Sequence, residues 1–324
     1  MNKWNWVAKS LALTAALAVA SVSAQTVKIA LDSGKDLENS GTYVWANAFS
    51  KHLQSKGFKT QEFERGALGN EAEKLDQIQQ GLLEVSMSDT KAVAKFDAHV
   101  MPLIMPYYFR DWATVDKGLN GGILAKINAG SSKQGVRVLG LASLGSAAGI
   151  FNTKHPVNSP KDMADLRMRA LDETQVGVYK LWGSTGTIVA WDEVANALQT
   201  GIADGYLNPP IVPLMFGHTG FIKFYTDAQV ALSTRAVLAS ETWFQGLNSA
   251  QQKVVLEAAA AATQANRKWM EGRKVELDKL RAAGMQVTSL SEQSWNEFKQ
   301  LSQPLHSKIP APVAEAWQQA IAGH

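Results

Sequence analysis

The fold is decided by residues 166–210, which read LRMRALDETQVGVYKLWGSTGTIVAWDEVANALQTGIADGYLNPP. At the start of this segment, apolar residues alternate with Arg167 and Arg169, which predicts a short strand over 166–170 with both guanidinium groups on one face. At its end, Asn208 stands before two prolines, where a second strand should stop. The segment therefore predicts two strands with a polar side chain near the end of each.

Helix signals occupy the sequence between these strands. Asp172 is a candidate N-cap and Gly183 a candidate end for a first helix, while Asp192 and Gly201 have the same roles for a second. The second strand is predicted at residues 203–207. The order strand, helix, loop, helix, strand is typical of a sheet covered by helices.

An arginine at one strand end and Asn208 at the other suit a small anion. A guanidinium group matches a carboxylate through two parallel hydrogen bonds, and the amide adds donors and an acceptor. From spacing alone, a surface arginine and a turn asparagine before proline explain the same residues. The pattern leaves both interpretations open.

The composition suits a globular protein large enough for two lobes. The chain has 324 residues, of which 46% are hydrophobic and 19% charged. It contains no cysteine, which excludes disulfides, a thiol nucleophile, a cysteine zinc site and a lipid-modified cysteine. We therefore expect stability to come from the core alone.

The N-terminal residues have the features of a signal peptide. Lys3 and Lys9 flank two tryptophans, an apolar run covers residues 11–22, and small residues predict cleavage after Ala24. Cleavage would remove two lysines and lower the net charge from +3 to +1, with 30 basic against 29 acidic residues. We expect an exported protein, and its charge gives no reason to expect nucleic acid or an anionic membrane as a partner.

The rest of the chain alternates predicted strands and helices, as in an α/β sheet. Strands are predicted at residues 27–32 and 83–87, with Asp32 and Asp89 at or just beyond their ends. Ligands of open α/β sheets bind outside such strand ends. Residues 143–149, SLGSAAG, are small enough for a crossover between lobes.

A long helix is predicted towards the C-terminus. Strands at residues 230–232 and 236–239 come before it. Ser249 and Gln252 form a candidate capping box, and an apolar stripe continues until Gly284. A helix of this length is long enough to bridge two lobes.

The sequence lacks the common catalytic and metal-binding motifs. Its six histidines are scattered, without a pair at helical spacing that would suggest zinc. No G-x-S-x-G elbow, glycine-rich phosphate loop or H-E-x-x-H motif occurs. Asp32, Glu71 and Asp89 could form a carboxylate pair, yet taken singly they are typical of caps and solvated charges. An exported hydrolase stays an alternative only by default.

Several stretches together resemble the solute-binding proteins of tripartite ATP-independent periplasmic (TRAP) transporters, of the DctP type. They are GALGNEAEKLDQIQQGLLEVSMSD at 66–89, PLIMPYYFRD at 102–111, PVNSPKDMADLRMRA at 156–170 and WDEVANALQTGIADGYLNP at 191–209. The strand and helix after Arg235 continue the likeness. The motifs cover nearly all of the expected mature chain, and their order and spacing are specific.

The resemblance implies an α/β, two-lobed periplasmic binding protein fold with crossover strands and a long helix linking the lobes. Such a receptor closes on an organic acid and delivers it to small DctQ-type and large DctM-type membrane subunits for sodium-coupled uptake. It implies no enzyme activity, no cofactor and no metal, and we expect a monomer in the periplasm. The predicted divisions are a signal peptide at 1–24, lobe I at 25–146 plus 235–275, and lobe II at 147–234 plus 276–324.

The resemblance also implies a ligand site. Arg169 corresponds to the arginine that clamps the ligand carboxylate, Asn208 to the amide beside it, and Trp191 to an aromatic residue that packs on the remainder. Arg167 is expected to be structural or solvated. The other expected ligand-binding residues are Asp32, Glu71, Met87, Asp89, Gly149, Tyr206 and Phe216.

One departure from the family pattern bears on the ligand. Members that bind acidic sugars or dicarboxylates often carry a second arginine where this chain has Ala-Ala-Gly-Ile at 147–150. Because an unpaired buried carboxylate is costly, we expect a monocarboxylate with an apolar, aromatic or hydroxylated tail. Arg110 or Lys223 reaching in from another loop would change this. The other candidates are a dicarboxylate such as a C4 acid, or a receptor for amino acids or sugars.

Overall fold

A computed structural model describes residues 26–273 and 275–323 of the chain. The expected signal peptide and its cleavage site after Ala24 lie outside the described residues. The strands are β1 (Val27–Ala30), β2 (Thr60–Phe63), β3 (Val85–Asp89), β4 (Val136–Ser143), β5 (Gly149–Asn152), β6 (Arg167–Ala170), β7 (Thr185–Ile188), β8 (Gly205–Asn208), β9 (Phe224–Asp227), β10 (Thr234–Ser240) and β11 (Gln286–Ser289).

Helices cover these strands. They are α1 (Gly41–Ser55), α2 (Glu71–Gln80), α3 (Thr90–Ala94), α4 (Met101–Ile104), α5 (Trp112–Gly118), α6 (Leu124–Ser131), α7 (Glu173–Leu181), α8 (Val194–Gln199), α9 (Val212–Met215), α10 (Glu241–Gly246), α11 (Ser249–Met270), α12 (Val275–Ala282), α13 (Glu292–Ser302) and α14 (Ala311–Ala322). A π-helical turn at Leu119–Ile123 joins α5 to α6.

Two sheets form the architecture, which confirms the predicted α/β class. The first sheet has the order β2-β1-β3-β10-β4 and the second the order β11-β9-β5-β8-β6-β7. Strand β10 runs antiparallel to both of its neighbours in the first sheet, and β5 does so in the second. Each of these strands directly follows a segment that crosses from the other sheet.

The two crossover segments, residues 144–148 and 228–233, are joined to each other by hydrogen bonds. Leu144 N donates to Ser233 O at 2.9 Å and Ala148 N donates to Ala231 O at 2.9 Å. Val230 N returns a bond to Ala148 O at 2.8 Å. This confirms the small-residue crossover expected near 143–149, whereas the strand expected at 230–232 is part of the second crossover.

The long C-terminal helix is divided into two. Helix α11 begins one residue earlier than expected, because Asn248 and Gln251 form the capping box. It ends at Met270, and α12 follows as a separate helix. Helix α11 packs on α1 and β4 of the first sheet, while α12 packs on β11 of the second. The pair thus connects the two sheets, although no continuous helix runs to Gly284.

The predicted limits of the two lobes stay a prediction. The packing of one helix differs from them. Helix α14, which was expected in lobe II, lies against α5 and the π-helical turn beside the first sheet. Trp317 is buried there and its Nε1 donates to His99 O at 2.8 Å. Helix α13 does pack on α7 beside the second sheet, where Trp182 Nε1 donates to Ser302 Oγ at 2.9 Å.

The fold-deciding segment forms more strands than its pattern predicts. Asp172 caps α7 as expected, since its Oδ1 accepts a hydrogen bond from Gln175 N at 2.9 Å. Asp192 caps no helix through its side chain, and α8 begins only after a short 3-10 turn at Trp191–Glu193. The expected loop between the helices contains β7, which pairs in parallel with β6.

Candidate functional site

The ends of β6 and β8 bring Arg169 and Asn208 to one edge of the second sheet. The two strands are parallel neighbours, with Arg169 beside Tyr206 in the register, so their carboxyl ends meet at the same edge. Tyr179 OH, on α7, donates a hydrogen bond to Arg169 O at 3.0 Å and so ties the end of β6 to this helix. Asn208 and Arg169, the arginine that the resemblance selects, therefore do lie together.

Arg169 is a buried cation without a counter-charge. Its residue is 4% exposed, and Nε donates to Val189 O at 2.9 Å. Nη2 is buried and has no hydrogen-bond partner among the described residues. Burial lowers the pKa of Arg169 below its ordinary value, but a guanidinium group in a protein keeps its proton. Leaving such a group unpaired is costly, so its place at the sheet edge points to an anion.

Two further groups complete this side of the site. The guanidinium carbon of Arg169 lies 5.6 Å from the ring centroid of Trp191, within range of a cation–π interaction. Trp191 in turn meets the ring of Phe216 edge-on, with the centroids 5.0 Å apart. Asn208 Nδ2 is buried and, like Arg169 Nη2, has no partner among the described residues.

The opposite side, built on the first sheet, gathers three carboxylates around Arg235. This residue lies on β10, and its Nε is 2.7 Å from Asp32 Oδ2. Its Nη2 is 2.8 Å from Glu71 Oε1, and its Nη1 is 3.8 Å from Asp89 Oδ2. Burial opposes the charge, but Glu71 and Asp32 raise the pKa of Arg235 above its ordinary value. Arg235 is therefore neutralised by the protein itself.

Two more cations lie close to the carboxylate of Glu71. Lys74 Nζ is 3.3 Å from Glu71 Oε1 and also donates to Met87 O at 3.0 Å. Burial favours the neutral acid at Glu71, but Arg235 and Lys74 outweigh it and lower the pKa of Glu71 to about 2. Arg65 Nη1 lies 3.7 Å from the same Glu71 oxygen.

Ion pairs join the two sides of the cleft. Arg65, which follows β2 of the first sheet, places Nη2 3.2 Å from Asp192 Oδ1 beside the second sheet. Lys91 on α3 pairs with Asp172 at the start of α7. The structure is thus closed over the space between the two sheets.

A cavity of about 120 Å³ lies between these two sides, and we call it the inner compartment. Seven of the ten expected ligand-binding residues line it: Asp32, Glu71, Asp89, Arg169, Trp191, Asn208 and Phe216. Residues that the sequence did not single out also line it: Arg65, Leu144, Leu171, Val212 and Arg235.

The other three expected residues lie behind the cavity wall. Met87 is fully buried in the core that packs on the first sheet. Tyr206 packs against Trp191 and its OH lies 3.1 Å from His218 Nδ1. Gly149 has no space for a side chain, because a Cβ would stand 2.4 Å from Thr226 O and 2.5 Å from the Tyr225 ring. They do not line the inner compartment, and their role at the ligand stays a prediction.

The two alternative sources of a second cation, Arg110 and Lys223, lie elsewhere. Arg110 lies 5.8 Å from the ring centroid of Trp295, and Lys223 Nζ donates to Gly220 O at 3.0 Å. Neither residue lines the inner compartment. Arg65 and Arg235 reach it instead, so the lack of a cation at 147–150 does not leave Arg169 as the only arginine there.

Charge pairing nevertheless distinguishes Arg169 from the other two arginines. The described lining residues comprise three arginines and three carboxylates. Arg65 and Arg235 have carboxylate partners, whereas Arg169 has none. The inner compartment can therefore accept one negative charge next to Arg169 without leaving another group unpaired.

The described lining of the inner compartment contains no histidine, serine, threonine or lysine, so its only ionisable groups are the three carboxylates and the three arginines. Within residues 26–273 and 275–323, no group of three or more His, Cys, Asp or Glu side chains is arranged to hold a metal ion. Nor does any helix in these ranges combine the length and apolarity needed to cross a membrane.

Comparison with known proteins identifies the architecture. Residues 33–311 match the DctP family, described as bacterial extracellular solute-binding protein, family 7. A solute-binding protein of Verminephrobacter eiseniae is 29% identical over 255 residues, which are 77% of this chain and 76% of that protein.

Two solved structures are similar over nearly their whole length. A TRAP periplasmic solute-binding protein of Polaromonas sp. JS666 bound to D-erythronate has a TM-score of 0.82 and 25% identity, covering 92% of this chain and 98% of that one. A TRAP solute-binding protein from Bordetella, with density assigned to pantoate, has a TM-score of 0.82 and 23% identity, covering 91% and 99%. The chain thus has the two-lobed fold of periplasmic binding proteins. It belongs to the DctP family, the bacterial extracellular solute-binding proteins of family 7, which are the receptors of TRAP transporters and not enzymes.

Proposed function

We propose that this receptor binds a small organic acid carrying one carboxylate, which pairs with Arg169 between the two lobes. The observation that carries the proposal is a buried guanidinium group without a counter-charge, at the edge of a sheet and facing a closed cleft. Asn208 would donate a second hydrogen bond from its unpartnered amide, and Trp191 would pack on the rest of the ligand.

A single carboxylate agrees with the charge pairing of the site. Arg65 and Arg235 are already compensated by carboxylates of the chain. A second ligand carboxylate would have to compete with Asp32, Glu71 and Asp89 for these arginines, or remain unpaired at a high desolvation cost. The ligands named for the two similar structures, D-erythronate and pantoate, are both monocarboxylates with hydroxylated tails.

The roles of the lining residues divide between the lobes. Arg169, Trp191 and Asn208 come from the second sheet and its loops, while Asp32, Glu71 and Asp89 come from the first. The three carboxylates can accept hydrogen bonds from ligand hydroxyl groups as well as hold Arg235. A ligand that contacts both sides would favour the closed form over the open one by the difference in its affinity for the two.

The proposal includes the partners and the location that the family implies. The protein would be exported after cleavage behind Ala24 and act as a monomer in the periplasm. It would pass the acid to small DctQ-type and large DctM-type membrane subunits for sodium-coupled uptake. Dicarboxylates, amino acids and sugars remain the alternatives that the ligand test must separate.

The test begins with the ligand that the protein retains. Native mass spectrometry of gently purified protein, followed by denaturing release, gives the mass of any bound small molecule. A thermal-shift panel of D-erythronate, pantoate, succinate, glucose and leucine then compares ligand classes, since only molecules that bind the folded state raise the melting temperature. Stabilisation by D-erythronate or pantoate supports the proposal. A response to succinate alone, or only to glucose or leucine, would replace it with the corresponding alternative.

A further inference from the structure

A second cavity, of about 180 Å³, adjoins the inner compartment, and we call it the second compartment. The two share part of their walls, because Asp89, Leu144, Leu171, Asn208 and Arg235 line both. The second compartment extends away from Trp191 and Phe216, along the crossover segments and the first turns of α7.

The apolar walls of the second compartment differ from those of the inner one, because the described residues that form them include no aromatic one. Twelve of its 21 described lining residues are apolar, and they include Leu103, Ile104, Val178, Val230 and Leu232. Ligand pockets are mostly apolar and carry a few polar groups that fix orientation. The aliphatic part of this wall can accommodate a hydrocarbon chain.

Polar side chains also line the second compartment, and several of them are already paired. Lys91 is held by Asp172, and Arg235 by the carboxylates of the first sheet. Thr90 is 1% exposed, and its Oγ1 has no hydrogen-bond partner among the described residues. Asn208 Nδ2, on the wall shared with the inner compartment, is also unpartnered.

We infer that the ligand spans both compartments: its carboxylate pairs with Arg169, and an aliphatic tail of several carbons passes Asn208 into the second compartment. One hydroxyl or carbonyl group on that tail would satisfy Thr90 Oγ1. This inference rests on the proposed function and deepens it, because it selects acids with an extended apolar tail over short or wholly hydroxylated ones. The occupant of the second compartment is the distal part of the same ligand.

The test measures affinity against chain length in the wild-type protein. The probes are lactate, 2-hydroxybutyrate, 2-hydroxyhexanoate and 2-hydroxyoctanoate, which share a head group and differ in apolar tail. Burial of one methylene is worth about 0.8 kcal/mol, so calorimetry should show Kd falling about fourfold per added methylene until the compartment is filled. A Kd that is flat or rises beyond 2-hydroxybutyrate would overturn the inference, and the second compartment would then be a water-filled passage.

A pair of neighbouring variants locates the effect. Ala148 lines the second compartment but not the inner one, whereas Ala147 lines neither. A148F should fill the second compartment, so that 2-hydroxyhexanoate loses its advantage while lactate binds as before. A147F should leave the whole series unchanged. Equal weakening of lactate and 2-hydroxyhexanoate by A148F would contradict the placement, and the wild-type series decides the question if A148F does not fold.

Failure of this inference can be told apart from failure of the proposed function. If neither these acids nor D-erythronate and pantoate bind, or if binding does not depend on Arg169, the proposed function fails. If short acids bind through Arg169 and lengthening the tail brings no gain, only the two-compartment arrangement fails.

Discussion

Replacement of Arg169 by methionine should abolish most ligand affinity, whereas the same change at Arg167 should not. Both residues lie on β6, two positions apart, so the two variants lose the same charge from the same strand. Arg167 is exposed and pairs with Asp204, with Nη2 2.8 Å from Oδ1. Arg169 is buried and has no such partner.

The expected loss of binding free energy in R169M follows from the guanidinium nitrogens that Arg169 can offer to a ligand. Because Nε already donates to Val189 O, a carboxylate would bind through Nη1 and Nη2. Two charge-assisted hydrogen bonds at ~1.5–3 kcal/mol each amount to roughly 3–6 kcal/mol. Removal of one partner from a buried ion pair costs about 3–5 kcal/mol, in the same range. A loss of ~3–5 kcal/mol raises Kd roughly 150- to 5,000-fold.

Isothermal titration calorimetry with the acid that the wild-type protein retains is the appropriate assay. R169M should bind at least a hundredfold more weakly, and R169K should fall between it and the wild type, since an ammonium group keeps the charge but loses the planar fork. R167M should bind within a few-fold of the wild type. Near-normal affinity in R169M, or an equal loss in R167M, would refute the assignment of the carboxylate to Arg169.

Three further outcomes follow from the site. W191A should weaken binding about tenfold while leaving the requirement for Arg169 intact, and calorimetry of W191A and of the double variant checks this. R235M should lower the free energy of unfolding by about 3–5 kcal/mol, measured in urea, because three carboxylates lose their shared partner. Because the pKa of Glu71 is lowered to about 2, the unfolded chain binds more protons than the folded one below about pH 4.5. Stability should therefore fall as the pH drops from about 4.5 towards 2. E71Q should be less stable than the wild type at pH 7 and show a shallower fall, and an equally steep fall would exclude Glu71 as its source.

Local patterns within residues 166–210 predicted two strands with a polar side chain near the end of each. Alternation over 166–170 and the Asn-Pro pair pointed to an arginine and to Asn208, and the family resemblance selected Arg169 over Arg167. The parallel pairing of β6 with β8 then brought the two together. Their role as ligand-binding residues stays a prediction, but their position at one sheet edge is what that role requires.

The residues that the sequence missed depend on contacts between distant segments. Arg235 lies on β10, 164 positions from Glu71, and meets it only because β10 returns from the second lobe to pair antiparallel with β3. Nothing local to Arg235 reveals that pairing. Arg65 likewise depends on how the lobes close, since its partner Asp192 lies on the other side of the cleft.

Errors at the ends of elements have a simpler origin. Asn248 and Ser249 are both good N-caps, and the choice between them depends on which glutamine, Gln251 or Gln252, returns a hydrogen bond. The sequence alone is compatible with an N-cap at either position. The resemblance alone places Met87 at the ligand, whereas its side chain is buried in the core.

The unpaired state of Arg169 has a consequence for the protein before any ligand arrives. An enclosed positive charge weakens the empty fold, so R169M should unfold at a higher temperature than the ligand-free wild type. A selection for heat resistance alone would discard the arginine and produce a robust protein that no longer senses its solute. Retention of Arg169, despite its cost to thermal stability, would mark a trade-off in favour of ligand binding.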